Sequence, residues 1–415
     1  MSFFASRWVE QPEHVADAGS GLPFGFRAGA VAAGIKASGE LDVGLLVCDA
    51  EDVVSAARFT RSGVLAAPVI VTKERARLDA LRVVAANAGN ANAATGLPGL
   101  DVAVAMQEAA AGAAGVDADT VAVASTGVIG VPLDAERVGA GLGQAAARLR
   151  ADGDEEFTDA ISTTDAFPKR ASLHVTLPSG SVRLSAQAKG AGMIQPSFAT
   201  MLCFVQTDAA LVPETAELLL GVCVKRSFDR ISVDGQLSTN DTVILQCSGA
   251  SGVRVAPESA DEVRLGEALD ALLRMLAVMI VRDGEGSKRI GRVVVRGGHD
   301  DAVERAARAV ANSPLVKTAL HGADPNWGRI AQAVGGALGG WGPYPAPLPV
   351  DIAIEGITVC SGGAAVPHDI DALNAAVAGV EIEYAVGLPG DGSETEVYFS
   401  DLSHEYVTIN AEYTT

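Results

Sequence analysis

Apolar residues in this chain come in short bursts set off by turn residues, and the spacing changes from strand-like to helix-like along its length. Between Phe24 and Val71, runs such as Val43-Gly-Leu-Leu-Val-Cys48 and Pro68-Val-Ile-Val71 alternate with turn formers and predict strands. An alanine-rich stretch from Asp101, read as its cap, to Gly115 predicts a helix. Val121-Ala-Val-Ala-Ser125 then predicts a strand running into a Ser125-Thr-Gly turn. Met201-Leu-Cys-Phe-Val205 has the composition of a buried strand. Leu265, Leu269, Leu272, Leu273, Leu276 and Ile280 recur at helical spacing and predict an amphipathic helix that delivers Asp283-Gly-Glu285-Gly286 at its end. A second helix is expected from about Ala302 to Ala311. Near the C-terminus, Glu381–Val386 and Thr395–Phe399 predict a hairpin around a glycine- and proline-rich loop. The first 20 or so residues are expected to form a poorly ordered lead-in, and Asp152-Gly-Asp-Glu-Glu156 an exposed acidic loop.

Length and composition narrow the class. At 415 residues, 48% hydrophobic and 20% charged, the chain has the make-up of a soluble globular protein with a sizeable core. Forty-six glycines and few aromatic residues suit the tight turns and close layers of an α/β architecture. A net charge of -20 repels phosphate backbones and anionic lipid, which argues against nucleic-acid and membrane-surface partners. Five cysteines stand singly in apolar stretches, as buried thiols do in a reducing compartment, and no apolar run is long enough for a membrane span. A cytoplasmic location is expected.

Familiar catalytic patterns are missing. The chain has no G-x-S-x-G elbow, H-E-x-x-H, Walker A loop or dinucleotide fingerprint after a strand, and its six histidines stand apart. No cofactor and no metal site are expected. What stands out is Lys189-Gly-Ala-Gly-Met-Ile-Gln-Pro-Ser-Phe-Ala199-Thr200, a glycine-rich turn placed directly before an Ala-Thr bond. Cleavage between Ala199 and Thr200 would leave a threonine whose own α-amino group, with a pKa of about 7.7 to 8.0, serves as general base for its hydroxyl.

That segment resembles the self-cleavage region of the ornithine acetyltransferase family, the bifunctional glutamate N-acetyltransferases of arginine biosynthesis. Matches to the family recur in order along the chain. They include Asn87–Gly96, Ser125-Thr-Gly-Val-Ile-Gly130, Ser162-Thr-Thr-Asp-Ala-Phe-Pro-Lys169, Ser238-Thr-Asn-Asp-Thr242, Asp283-Gly-Glu-Gly286, Asn312–Thr318, Asp324-Pro-Asn-Trp-Gly-Arg329 and Asn410-Ala-Glu-Tyr-Thr-Thr415. The resemblance implies a four-layer α/β/β/α sandwich of two similar halves. It also implies self-processing into an alpha chain of residues 1–199 and a beta chain of residues 200–415 that begins with the nucleophile.

By the same resemblance, Thr126 and Gly127 form the oxyanion hole and Thr200 carries the acetyl group. Thr164, Lys189, Thr200, Glu285, Asn410 and Thr415 contact substrate, with Thr163 and Thr164 interchangeable by one position. Substrates would be N-acetylornithine and glutamate, with acetyl-CoA open as a second donor, and the assembly a heterotetramer of two alpha and two beta chains. Ala94 and the run Asp234-Gly-Gln-Leu-Ser238 depart from the family pattern without touching the nucleophile or the oxyanion positions. Two other readings stay open: an amidohydrolase or aminopeptidase of the same fold, and an unprocessed relative that only binds amino acids.

Overall fold

The computed structural model describes residues 3–195, 201–340, 342–390 and 392–412. Apart from Ile231–Ser232, its strands from the first three fifths of the chain form two sheets. One has four strands in the order Phe26–Val31, Val43–Cys48, Val83–Asn90, Val121–Val128. The other has six, in the order Val15–Asp17, Lys169–Leu177, Gly180–Lys189, Leu202–Thr207, Thr242–Cys247, Val54–Phe59.

Strand side chains alternate between faces, and here both faces are covered. Val43, Leu45 and Val47 point at the helices Gly96–Ala114 and Ala135–Ala146, while Leu46 and Cys48 meet Phe204 and Ile244 of the larger sheet. The larger sheet is covered on its other side by Pro213–Arg226 and Ala260–Arg282. The result is a four-layer α/β/β/α sandwich. Its double burial explains why Val43–Cys48 is apolar throughout rather than alternating.

The helix Ala260–Arg282 forms as its leucine spacing requires, with Ser259 capping it by accepting from the Glu262 amide at 3.2 Å. Full burial of each of its Leu and Ile side chains stabilises the sandwich by about 1.5–3 kcal/mol.

Residues beyond the sandwich build a third sheet of seven strands, faced by the helices Asp300–Ala311, Pro314–His321 and Trp327–Leu338. It is tied to the sandwich by Ile231–Ser232, which pairs with Glu394–Ser400. Asp324–Arg329 proves to be a helix start, with Asn326 capping Trp327–Leu338.

Six expectations are corrected. Pro68–Val71 is helical, part of Ala67–Arg75, because a proline at the first turn and the polar run Thr72-Lys-Glu-Arg75 favour a helix over a short strand. The alanine-rich helix begins at Gly96, a turn before Asp101, which is exposed and caps nothing; it stops at Gly115 as expected, and that glycine is left-handed. The strand from Val121 does not turn at Ser125 but continues to Val128 beside Val83–Asn90.

The lead-in is ordered, since Trp8 and Val15 enter the core and Val15–Asp17 pairs with Lys169–Leu177. Asp152–Glu156 opens a helix, Asp154–Ile161, in which Asp154 is buried and accepts from Gly21 and Arg170. The expected C-terminal hairpin is not one either. Ile290–Arg296 lies between Glu381–Gly387 and Glu394–Ser400 and pairs with both.

Candidate active site

Seven stretches of chain, one of them contributing Ala91, meet around a cavity of about 240 Å³ at the edge of the sandwich. Thr126 and Gly127 come from the outer strand of the four-stranded sheet, Lys189 from the end of Gly180–Lys189, and Glu285 from just past the long helix. Thr163 and Thr164 both face the same space, as do Asp234, Asn240, Tyr406 and Asn410.

The Thr126–Gly127 wall is shaped by backbone constraints that only glycine meets. Gly127 has φ +129, and a side chain there would bring a Cβ to 2.4 Å from the Gly89 carbonyl carbon of the neighbouring strand. The strand pairing shifts register here, around Asn90. Polar side chains then lock the irregular backbone. The Ser125 hydroxyl donates to Asn87 at 2.6 Å, and Asn240 Nδ2 donates to the carbonyls of Ser125 at 2.8 Å and Ala91 at 2.7 Å.

Lys189, only 2% exposed, donates from Nζ to Thr126 Oγ1 at 2.9 Å. A threonine hydroxyl that accepts from an ammonium has its own proton left to offer to another acceptor. Burial pushes the Lys189 pKa down, against the pull of Asp165.

Glu285 faces this wall. Its Oε1 accepts from Thr164 Oγ1 at 3.0 Å and its Oε2 from Asn410 Nδ2 at 2.7 Å. The carboxylate lies so close to Gly192 that a Cβ there would be 2.7 Å from it, which accounts for the second glycine of the Gly-Ala-Gly turn. Asn410 belongs to a helix, His404–Glu412, so this part of the C-terminal tail is not frayed. The structure therefore brings Thr126, Gly127, Thr164, Lys189, Glu285 and Asn410 to one cavity. Ala199, Thr200 and Thr415 lie outside the described residues.

Several participants were not singled out from the sequence. Asp234 accepts from the Met193 amide at 2.6 Å and the Ile194 amide at 2.8 Å, holding the turn that precedes the Ala199-Thr200 bond. Asp241, fully buried, accepts from the Met201 amide at 3.0 Å, and burial pushes its carboxyl up to about 8. Lys169 bridges Asp165 and Asp283 beneath the cavity. Burial alone would raise the Asp165 carboxyl, but the Lys169 and Lys189 ammonium groups hold it below the usual carboxylate range. Asp165, Lys169 and Asp241 all sit inside the motifs noted above. Motif membership was the available signal, and it did not distinguish a wall from its support.

Comparison with known proteins places these residues in a wider set. The model of the ArgJ family matches residues 27–415. The arginine biosynthesis bifunctional protein ArgJ of Rhodopirellula baltica is 43% identical over 401 residues, covering 95% of this chain and 96% of its own. The protein of the same name from Geobacter sulfurreducens is 41% identical over 396 residues, covering 94% and 99%. A crystal structure of ornithine acetyltransferase from Mycobacterium tuberculosis, complexed with ornithine, is 38% identical and matches 44% of this chain and 97% of that one at a TM-score of 0.41.

Proposed function

The chain belongs to the ArgJ family, and from that membership we propose that it is a glutamate N-acetyltransferase that cuts itself at Ala199-Thr200. It then moves an acetyl group from N2-acetylornithine to glutamate through an ester on Thr200. The observation that carries the reading is the meeting, in one cavity, of the Thr126–Gly127 wall, a buried ammonium and a carboxylate.

In self-cleavage the Thr200 hydroxyl attacks the Ala199 carbonyl carbon, the C–N bond breaks as the acyl group passes to oxygen, and water hydrolyses the resulting ester. Residues 1–199 and 200–415 are released as alpha and beta chains. The freed α-amino group of Thr200 then takes the hydroxyl proton as Thr200 attacks the acetyl carbonyl of N-acetylornithine. The Thr126 hydroxyl and the Gly127 amide supply the oxyanion donors, and the Lys189 ammonium behind Thr126 strengthens the first of them.

Lys189 also steadies the substrate carboxylate, while Glu285, with Thr164 and Asn410, receives the ornithine side-chain ammonium. Thr415 is assigned a further contact on the family pattern. Ornithine leaves, glutamate enters the same cavity, and its amine takes the acetyl group, so the kinetics are ping-pong. The same proposal extends to acetyl-CoA as a second donor, to two alpha and two beta chains per assembly, and to a cytoplasmic setting, which the five buried free thiols suit.

The reading is tested with N-acetylornithine in the presence and absence of glutamate. Free ornithine should accumulate beyond one turnover only when glutamate is present, whereas steady release without it would make the protein an amidohydrolase. In Glu285→Gln, KM for N-acetylornithine should rise about tenfold or more, as expected for loss of a charge-assisted contact, while processing into two chains proceeds normally, since cleavage involves no ornithine ammonium. Equal damage to both steps would remove Glu285 from substrate recognition.

A further inference from the structure

Three walls of the cavity are fastened to one another by charges that never reach it. Lys169 Nζ donates to Asp165 Oδ1 at 2.6 Å and to Asp283 Oδ2 at 2.5 Å. The lysine side chain is 0% exposed and each carboxylate 2%. Each carboxylate in turn grips backbone. Asp165 Oδ1 accepts from the Gly190 amide at 2.7 Å and its Oδ2 from the Thr163 amide at 3.0 Å, while Asp283 accepts from the Ala166 amide at 3.0 Å.

The groups so tied are neighbours of those that face the substrate. Gly190 follows Lys189, Thr163 precedes Thr164, and Asp283 stands two residues before Glu285, whose amide donates back to Ala191 at 3.1 Å. We infer that the Asp165–Lys169–Asp283 cluster is a ruler: it fixes the separation between Lys189 and Glu285 and thereby selects the chain length of the diamino acid that the cavity accepts. The inference rests on the proposed roles of Lys189 and Glu285 at the two ends of the substrate.

The physical reason is rigidity. A buried ion pair leaves an uncompensated charge if either partner moves away, so the segments it joins cannot drift apart cheaply. Recognition at two charged ends demands placement within about 0.5 Å, and one methylene changes the span of a diamino acid by more than that. One methylene too many or too few in a fitted pocket typically costs about 10- to 200-fold. Asp165, Lys169 and Asp283 touch no substrate in this arrangement and act as positioning residues.

The test is a length ladder. Binding of 2,4-diaminobutyrate, ornithine and lysine to the processed protein is measured by calorimetry, beside transfer from the three N2-acetylated forms to glutamate. Wild type should prefer ornithine to each neighbour by about tenfold or more. Asp283→Glu keeps the charge but lengthens the tether, and should bring the preference below about threefold while processing at Ala199-Thr200 continues.

A role confined to stability would lower the yield of folded protein and leave the preference unchanged. Lys169→Arg, expected to flatten the ladder in the same way, replaces Asp283→Glu if that protein does not fold. A flat wild-type ladder, or a folded variant with the wild-type preference, overturns the ruler. Loss of transfer with an intact binding ladder would instead overturn the proposed reaction and leave the ruler standing.

Discussion

Thr200→Ala is expected to give a single unbroken chain of 415 residues that folds, binds ornithine and transfers no acetyl group. Both steps assigned to this residue need the same oxygen. The first uses it to accept the acyl group of Ala199, and the second uses it to accept acetyl once cleavage has freed the α-amine beside it. Alanine removes the oxygen and, because no cleavage follows, also the free amine, so the two losses cannot be separated in this variant.

Thr200→Ser separates them. It retains a hydroxyl and should process more slowly than wild type yet transfer measurably once cut. Denaturing electrophoresis and a transfer assay on both proteins give the answer. Two chains from Thr200→Ala would mean that another group cuts the backbone.

Gly127→Ala should have the next largest effect, and its cause lies in the neighbouring strand. The added methyl would stand 2.4 Å from the Gly89 carbonyl carbon and 2.5 Å from the Asn90 amide nitrogen, at a φ of +129 that alanine resists. Backbone must move, and the amide assigned to the oxyanion moves with it. Loss of one aimed donor costs about 100- to 1,000-fold in turnover, so transfer should fall at least that far and self-cleavage should slow with it.

KM for N-acetylornithine should change little by comparison, because Lys189 and Glu285 lie on other segments. Near-wild-type turnover by a folded Gly127→Ala protein would withdraw the oxyanion assignment. The contrast with Glu285→Gln, where KM carries the loss, separates the two walls of the cavity.

How much of this could be read without coordinates depends on the range of the interaction. The long helix ending at Asp283, the helix before Asn312, the strand Val43–Cys48 and the helix stop at Gly115 follow from local spacing and composition, and all are present. Errors arose where a distant segment decides. A run as short as Pro68–Val71 suits a strand or a buried helix turn equally, and its neighbours tip the balance.

Glu381–Gly387 and Glu394–Ser400 look like hairpin partners only while Ile290–Arg296, nearly a hundred residues earlier, is out of sight. Trp8 and Val15 give an ordered N-terminal segment because the larger sheet offers an open edge and an apolar face, neither of which is visible from the first twenty residues.

The candidate site divides in the same way. Thr126, Gly127, Thr164, Lys189, Glu285 and Asn410 were named through motif resemblance, and geometry brings them together. Their supports were not named. Asn240 matters because its amide joins the Ser125 carbonyl on one strand to the Ala91 carbonyl just past the neighbouring strand, and Lys169 because Asp283, more than a hundred residues away, meets Asp165, four residues before it, on its ammonium. Pairings across more than a hundred residues leave no periodic trace. A buried lysine in a sequence looks like any other lysine until its burial is known.

The central claim is that the acetyl group travels on Thr200, and intact-mass analysis of the two separated chains tests it most directly. After brief exposure of the processed protein to N-acetylornithine without acceptor, the chain beginning at residue 200 should carry one acetyl group, on the threonine oxygen, and the chain of residues 1–199 none. Addition of glutamate should remove the label and yield N-acetylglutamate. An unlabelled beta chain under conditions that support transfer, or an acetyl group on any other residue, would contradict the account.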